Sequence, residues 1–239
     1  MTTIDHNLHT VQARVQRACA DAGRAQGSVA LLAVSKTFGA DAVRAAALAG
    51  QRRFGENYIQ EAVDKMAQVA AMALPGPLEW HCIGPVQSNK TRLVAGHFDW
   101  VHTVDRLKTA QRLSDQRPAH LPPLQVCIQV NVDGGPTKAG VAPEEAVALA
   151  RAVAALPRLC LRGVMSIPDA LPPGPQQDAV MDRVRAVFDA VRALEGEGLG
   201  AVDTLSLGMT ADLEAAVRAG STLVRVGSGI FGERHYPPA

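Results

Sequence analysis

The sequence predicts the α/β class and, within it, a (β/α)8 TIM barrel: a parallel sheet closed on itself and covered by helices. Three observations predict it. Eight apolar runs of strand length alternate with stretches of helical period. Several of those runs lack polar alternation, as expected of strands buried on both faces. A length of 239 residues suits one such barrel, with no Pro/Ser-rich linker or low-complexity tract inside it.

The elements follow in order. Leu8, Val11, Val15 and Ala18 recur at helical spacing over residues 5–24, and Gly27 ends that helix. Residues 1–27 are expected to pack on the barrel, and residues 1–239 to form a single domain. Residues 29–36 are the first strand, and the alanine-rich residues 41–48 a helix closed by Gly50. Strands are expected at 52–57, 80–84, 100–104 and 124–132, each followed by a helix, at 60–71, 89–96, 106–116 and 144–156. Pro143 suits the first turn of the last of these. A strand at 159–167 precedes a long helix at 177–194, and the Pro/Gly-rich residues 168–175 between them form a stiff surface excursion. A strand at 203–207, a helix at 211–219 ended by Gly220 and a strand at 223–226 complete the set.

Composition removes several classes. The formal charge is +1 and aromatics are 4%, which argues against a general nucleic-acid binder and against a base-stacking platform. Cys19, Cys82, Cys127 and Cys160 are far apart, with no disulfide framework or zinc spacing. The reading is a reducing cytoplasm, with no signal peptide and no apolar run near the ~18 residues of a membrane span. A metal site is not expected. His81 and Cys82 are neighbours on a strand and point to opposite faces, which excludes a thiol hydrolase built on that pair.

Ligands of such barrels sit at the C-terminal ends of the strands. Lys36 ends the first strand, where an ammonium is poorly hydrated and desolvation favours the neutral amine, the form that condenses with carbonyls. The chain has five lysines against nineteen arginines, so a lysine held here suggests that the amine itself matters. Asn57 ends the second strand. Ser206 and the pair Gly227 and Ser228 stand in the seventh and eighth strand-to-helix turns, where hydroxyls, close-approaching glycines and helix N–H groups suit a phosphate. Arg225 lies in an apolar strand and needs a partner, either a ligand atom or a neighbouring carboxylate. An amine and a phosphate cradle at one mouth fit an aldehyde bearing a phosphate, either pyridoxal 5′-phosphate (PLP) or a phosphorylated sugar aldehyde.

Five separated segments, in order, resemble one family: LLAVSKT (31–37), RFGENY (53–58), EWHCIGPVQSNK (79–90), TLSLGM (204–209) and GSTLVRVGSGIFG (220–232). The chain is similar to the PLP homeostasis proteins from the first strand to about residue 234. The resemblance implies a single-domain barrel similar to the N-terminal domain of alanine racemase. It implies PLP held as a Schiff base on Lys36, with Asn57 nearby, phosphate contacts from Ser206, Gly227 and Ser228, and Arg225 near the pyridine nitrogen. It also implies a cytoplasmic role in balancing free and delivered PLP, with no established turnover and with PLP-dependent apo-enzymes as recipients. Ser228 and Gly229 stand where the family pattern has Thr and Ala, and the hydroxyl is kept. Residues 134–136 are less polar than the pattern, which bears on loop shape only.

Two other functions share parts of this site. An amino-acid racemase needs a second acid/base group opposite Lys36, for which Tyr58 is the available residue. A Schiff-base lyase acting on phosphorylated sugars would need no PLP. The expected assembly is a monomer, with no nucleic acid or membrane partner.

Overall fold

A computed structural model describes residues 3–135, 138–194 and 201–232. Pro136 of the loop at 134–136, the end of the family match near residue 234 and the extremes of the span 1–239 lie outside the described residues. Eight parallel strands close in sequence order, β1 against β8. They are β1 (Ala30–Val34), β2 (Arg53–Glu56), β3 (Glu79–Cys82), β4 (Trp100–Val104), β5 (Leu124–Gln129), β6 (Leu159–Met165), β7 (Thr204–Ser206) and β8 (Leu223–Val226).

The helices outside them are α1 (Thr3–Asp21), α2 (Ala40–Leu48), α3 (Ile59–Ala70), α4 (Thr91–His97), α5 (Leu107–Gln116), α6 (Pro143–Ala154), α7 (Pro175–Arg192), α8 (Leu213–Arg218) and the single turn α9 (Ser228–Phe231). Pro143 and Pro175 open α6 and α7, positions that need no backbone N–H from them. The fifth strand ends earlier than its apolar run, at Gln129. Val130 instead makes an isolated bridge to Val141 across the following loop. The turn α9 is the short helix into which the eighth strand-to-helix turn leads. Among the described residues no helix is long and apolar enough to cross a membrane.

Strand alternation sorts the side chains into two layers. Phe54, Trp80, Cys82, Val101, Val126 and Val164 face outward into the main core against the helices. In α7 the buried set Val180, Met181, Val184, Val187, Phe188 and Val191 forms one stripe, each large side chain contributing up to about 1.5–3 kcal/mol on burial. Inside the barrel, Leu32, Val34, Ile83 and Leu223 form one small cluster, and Trp100, Cys127 and Met165 another. The remaining interior is polar: His81, His102, Ser206 and Arg225 are all buried there.

The ladder is thinnest between β7 and β8, where a single residue pair, Ser206 and Leu223, is in register. Side chains supplement it. Ser221 Oγ lies 3.2, 2.7 and 3.1 Å from the carbonyls of Leu205, Leu207 and Leu223. Thr222 Oγ1 accepts from Leu205 N at 2.9 Å.

Helix α1 packs on this seam. Its Arg14 pairs with both carboxylate oxygens of Glu214 at 2.5 and 2.7 Å and donates to Thr210 O at 2.8 Å, while Asn7 donates to Ile230 O at 3.1 Å. The loops after β7 and β8 are therefore braced from outside.

Candidate functional site

Lys36 occupies a turn just beyond β1. Phe38 N donates to Ser35 O at 3.1 Å, and Thr37 has φ +69°. A positive φ at the third position is what a type II turn requires, and a β-branched residue adopts it only under constraint. The constraint is visible. Thr37 N donates to Glu61 Oε1 at 3.0 Å, and Ser35 Oγ donates to Glu56 Oε1 at 2.6 Å. Lys65 Nζ then reaches Ser35 O, Glu56 Oε1 and Glu61 Oε1 at 2.9, 2.7 and 3.1 Å, satisfying all three of its donors. Both residues flanking Lys36 are thus tied to one ion cluster on β2 and α3, buried at Glu56 and Lys65 and partly exposed at Glu61. Burial pushes the Glu56 carboxyl up, and the charge of Lys65 opposes that.

A cavity of 280 Å³ opens at the C-terminal mouth, lined among others by Lys36, Asn57, Thr210, Arg225, Gly227 and Ser228. That is close to the ~300 Å³ lower end of small-molecule sites. Among the described residues its lining holds Lys36 and Arg225 and no carboxylate, which suits an anion. Asn57 Oδ1 is buried and lacks a hydrogen-bond partner among the described residues, an acceptor left for a ligand. Two glycines shape the walls. A Cβ on Gly84 would lie 2.2 Å from Asn57 O, and one on Gly227 3.2 Å from Val34 O. Ser228 opens α9, whose first N–H groups have no intrahelical acceptor. Its Oγ stands 3.5 Å from Thr210 Oγ1.

Five of the six expected site residues therefore meet in one cavity. Ser206 is placed differently. It is fully buried and absent from the cavity lining. Its hydroxyl lies 2.9 Å from His102 Nδ1 and accepts from Arg225 at 2.8 Å. The physical reason is strand parity: Ser206 is still within β7 and points into the barrel below the mouth. Thr210, four residues on and past Gly208, lines the cavity instead, and its hydroxyl on the loop was the signal available in the sequence.

Arg225, 4% exposed, makes no hydrogen bond to a carboxylate among the described residues. Its Nη groups donate to Ser206 O, Ser206 Oγ and Ser166 O at 2.7, 2.8 and 2.9 Å. Burial pushes its pKa down to about 10, so it stays cationic at neutral pH. Tyr58 is exposed and does not line the cavity.

A larger cavity, 1090 Å³, lies at the opposite mouth beside Arg53, Glu79, Trp100 and Arg162. These residues belong to the N-terminal halves of their strands, the end that serves stability in barrels of this kind.

The histidines and cysteines settle into the fold. His81 and Cys82 do face opposite sides, the first into the barrel and the second into the outer core. Burial pushes the Cys82 and Cys127 thiols up to about 12, which keeps them unreactive. Among the described residues no group of three His, Cys, Asp or Glu could hold a metal ion.

Burial also lowers the pKa of His81, and that of His102 well below the ordinary value of 6.5, so both imidazoles are neutral at pH 7. An unfolded chain binds those protons first as pH falls. Their stabilising contribution is therefore complete above pH 6.5 and declines below it, by about 1.4 kcal/mol per pH unit for each imidazole until the folded barrel also protonates. Urea unfolding between pH 7.5 and 5 should show that decline. A flat profile would mean that the folded barrel protonates both imidazoles as readily as the unfolded chain does.

A barrel with an amine, an arginine and a phosphate-sized set of hydroxyls and glycines at its C-terminal mouth defines a class, the alanine-racemase-like barrels. The family model described as "Alanine racemase, N-terminal domain" matches residues 2–235. The chain belongs to that family and, within it, to the pyridoxal phosphate homeostasis proteins. It is 54% identical to the pyridoxal phosphate homeostasis protein of Pseudomonas aeruginosa, over 99% of this chain and 98% of that protein. It is 50% identical to that of Vibrio cholerae, with the same coverage. The solved structure of PipY from Synechococcus elongatus with PLP bound superposes with a TM-score of 0.82 at 32% identity, covering 96% of this chain and all of PipY.

Proposed function

We propose that this chain is a PLP-binding protein of intracellular PLP homeostasis that carries PLP covalently on Lys36 without catalytic turnover. The observation that carries the reading is the convergence of Lys36, Asn57, Arg225, Gly227 and Ser228 on one cavity, in a chain half identical to proteins named for that role. The residues present fit PLP. The cavity offers Lys36 and Arg225, its Asn57 Oδ1 lacks a partner among the described residues, and its far wall offers hydroxyls and helix N–H groups.

PLP supplies an aldehyde that an amine captures reversibly. Lys36 provides that amine. Ser228, Thr210 and the first N–H groups of α9 take the phosphate, with Gly227 allowing close approach. Arg225 would stand at the pyridine nitrogen and Asn57 would hydrogen-bond the ring substituents. Ser206 acts one step back, by holding Arg225.

The same residues account for a carrier rather than a racemase. A guanidinium opposite the pyridine nitrogen disfavours its protonation, and an unprotonated ring is a weak electron sink. Racemisation needs acid/base groups on both faces of the substrate carbon. Lys36 is one, and Tyr58 lies outside the cavity lining. The reading includes delivery to PLP-dependent apo-enzymes in the cytoplasm by a monomer.

The test is a PLP titration of the ligand-free protein followed by borohydride reduction and peptide mapping. A visible absorption band and a single reduced adduct on Lys36 are expected. An adduct elsewhere overturns the assignment of the anchor, and the absence of any band overturns PLP binding. Sustained α-proton exchange of a single-enantiomer amino acid in deuterated water would favour the racemase.

A further inference from the structure

A continuous hydrogen-bonded chain runs through the barrel interior from one mouth to the other. Arg225 Nη1 lies 2.8 Å from Ser206 Oγ, which lies 2.9 Å from His102 Nδ1. His102 Nε2 lies 2.8 Å from His81 Nδ1, and His81 Nε2 lies 2.9 Å from Glu79 Oε1. His81, His102 and Ser206 are completely buried. Glu79 sits at the N-terminal mouth, where it also accepts from Arg53 Nε at 3.0 Å.

The direction of the chain is determined by its ends. A guanidinium only donates, and an ionised carboxylate only accepts. The His81 N–H and Arg53 hold Glu79 well below the usual carboxylate range, and both imidazoles are neutral. One pattern then satisfies every link. Arg225 donates to Ser206, whose hydroxyl donates to His102 Nδ1. His102 Nε2–H donates to His81 Nδ1, and His81 Nε2–H donates to Glu79. Both histidines must be Nε2–H tautomers.

Packing holds the rings in that register. His81 stacks on Trp100 at 5.2 Å between centroids and 13° between planes, and Arg162 lies over the Trp100 ring at 4.8 Å.

We propose that Glu79, His81, His102 and Ser206 are positioning residues for Arg225, a through-barrel relay that holds the guanidinium in one orientation on the floor of the cavity. The proposal rests on the reading that Arg225 faces the pyridine of PLP. Each interior link polarises the next, so the anion at the far mouth strengthens the acceptor that Arg225 meets. The buried guanidinium is held by this relay and by the two carbonyls it meets, with no carboxylate hydrogen-bonded to it among the described residues.

The test begins without PLP. Long-range 15N–1H spectra of the full chain at pH 7 are expected to give the Nε2–H tautomer for both His81 and His102. An imidazolium or an Nδ1–H form at either position overturns the relay. Rotation of the Arg225 guanidinium, followed by NMR, is expected to quicken about tenfold in Ser206→Ala, the equivalent of one lost bond of about 1.4 kcal/mol. Unchanged rotation overturns it as well.

Glu79→Gln keeps an acceptor for His81 and is expected to retain the parent tautomers with rotation quickened less than in Ser206→Ala, whereas Glu79→Ala is expected to free the lower ring. With PLP added, Ser206→Ala is expected to shift the visible band and to raise the dissociation constant about tenfold. If PLP fails to bind the parent protein, the functional reading falls while the tautomers and the rotation rate still decide the relay.

Discussion

Lys36→Ala is expected to abolish the visible absorption band of PLP-loaded protein and the borohydride-trapped adduct, with the unfolding midpoint moved by only a few degrees. The side chain lines the cavity rather than the core. The contacts that shape its turn belong to its neighbours, Ser35 through its hydroxyl and carbonyl and Thr37 through its backbone N–H. Those contacts survive the substitution. The phosphate end of the cavity survives too, so weak non-covalent binding should persist, tenfold or more below the parent, a loss of at least about 1.4 kcal/mol. Absorption spectra, reduction with peptide mapping, and thermal melts of the two proteins check each part. A retained adduct would remove Lys36 as the anchor.

Lys65→Met is expected to do the reverse, unfolding the barrel readily. Lys65 is 5% exposed and Glu56 completely buried. Removing the ammonium leaves a carboxylate inside the protein with Ser35 Oγ as its remaining partner, a change that typically costs about 3–5 kcal/mol. At this chain length that corresponds to a midpoint lower by roughly 10 °C. Glu56→Gln in the same chain should recover much of the loss, because the charge left behind is what destabilises. Burial already raises the Glu56 carboxyl, so in Lys65→Met it takes up a proton more readily still, and the penalty should shrink as pH falls. Urea unfolding of the parent, both single variants and the double variant gives the coupling directly. A penalty below about 1 kcal/mol, comparable to an exposed pair, would mean that water reaches Glu56.

The contrast between these two lysines marks what could be read in advance. The barrel was legible because its strands are apolar runs punctuated by glycine and because eight repeats of one pattern have few ways to close. Lys36, Asn57, Arg225, Gly227 and Ser228 were legible because strand ends in a barrel converge on one mouth. Which of Ser206 and Thr210 reaches the cavity turns on where β7 stops, and a strand of three residues leaves no periodicity to count. The bond from Lys65 to Glu56 joins a helix to a strand, and the contact of His81 with His102 joins two strands. Such partnerships depend on tertiary distance, which spacing along the chain does not encode. Neither His81 nor His102 stands out in the sequence for that reason.

The thin seam between β7 and β8 gives the cavity a mechanical meaning. Thr210 follows one strand and Ser228 the other, so an anion gripping both hydroxyls acts as a rivet across the weakest joint of the cylinder. On the proposed reading, occupancy would reinforce the closure of the whole barrel rather than a local pocket, so that cargo and container would hold each other together.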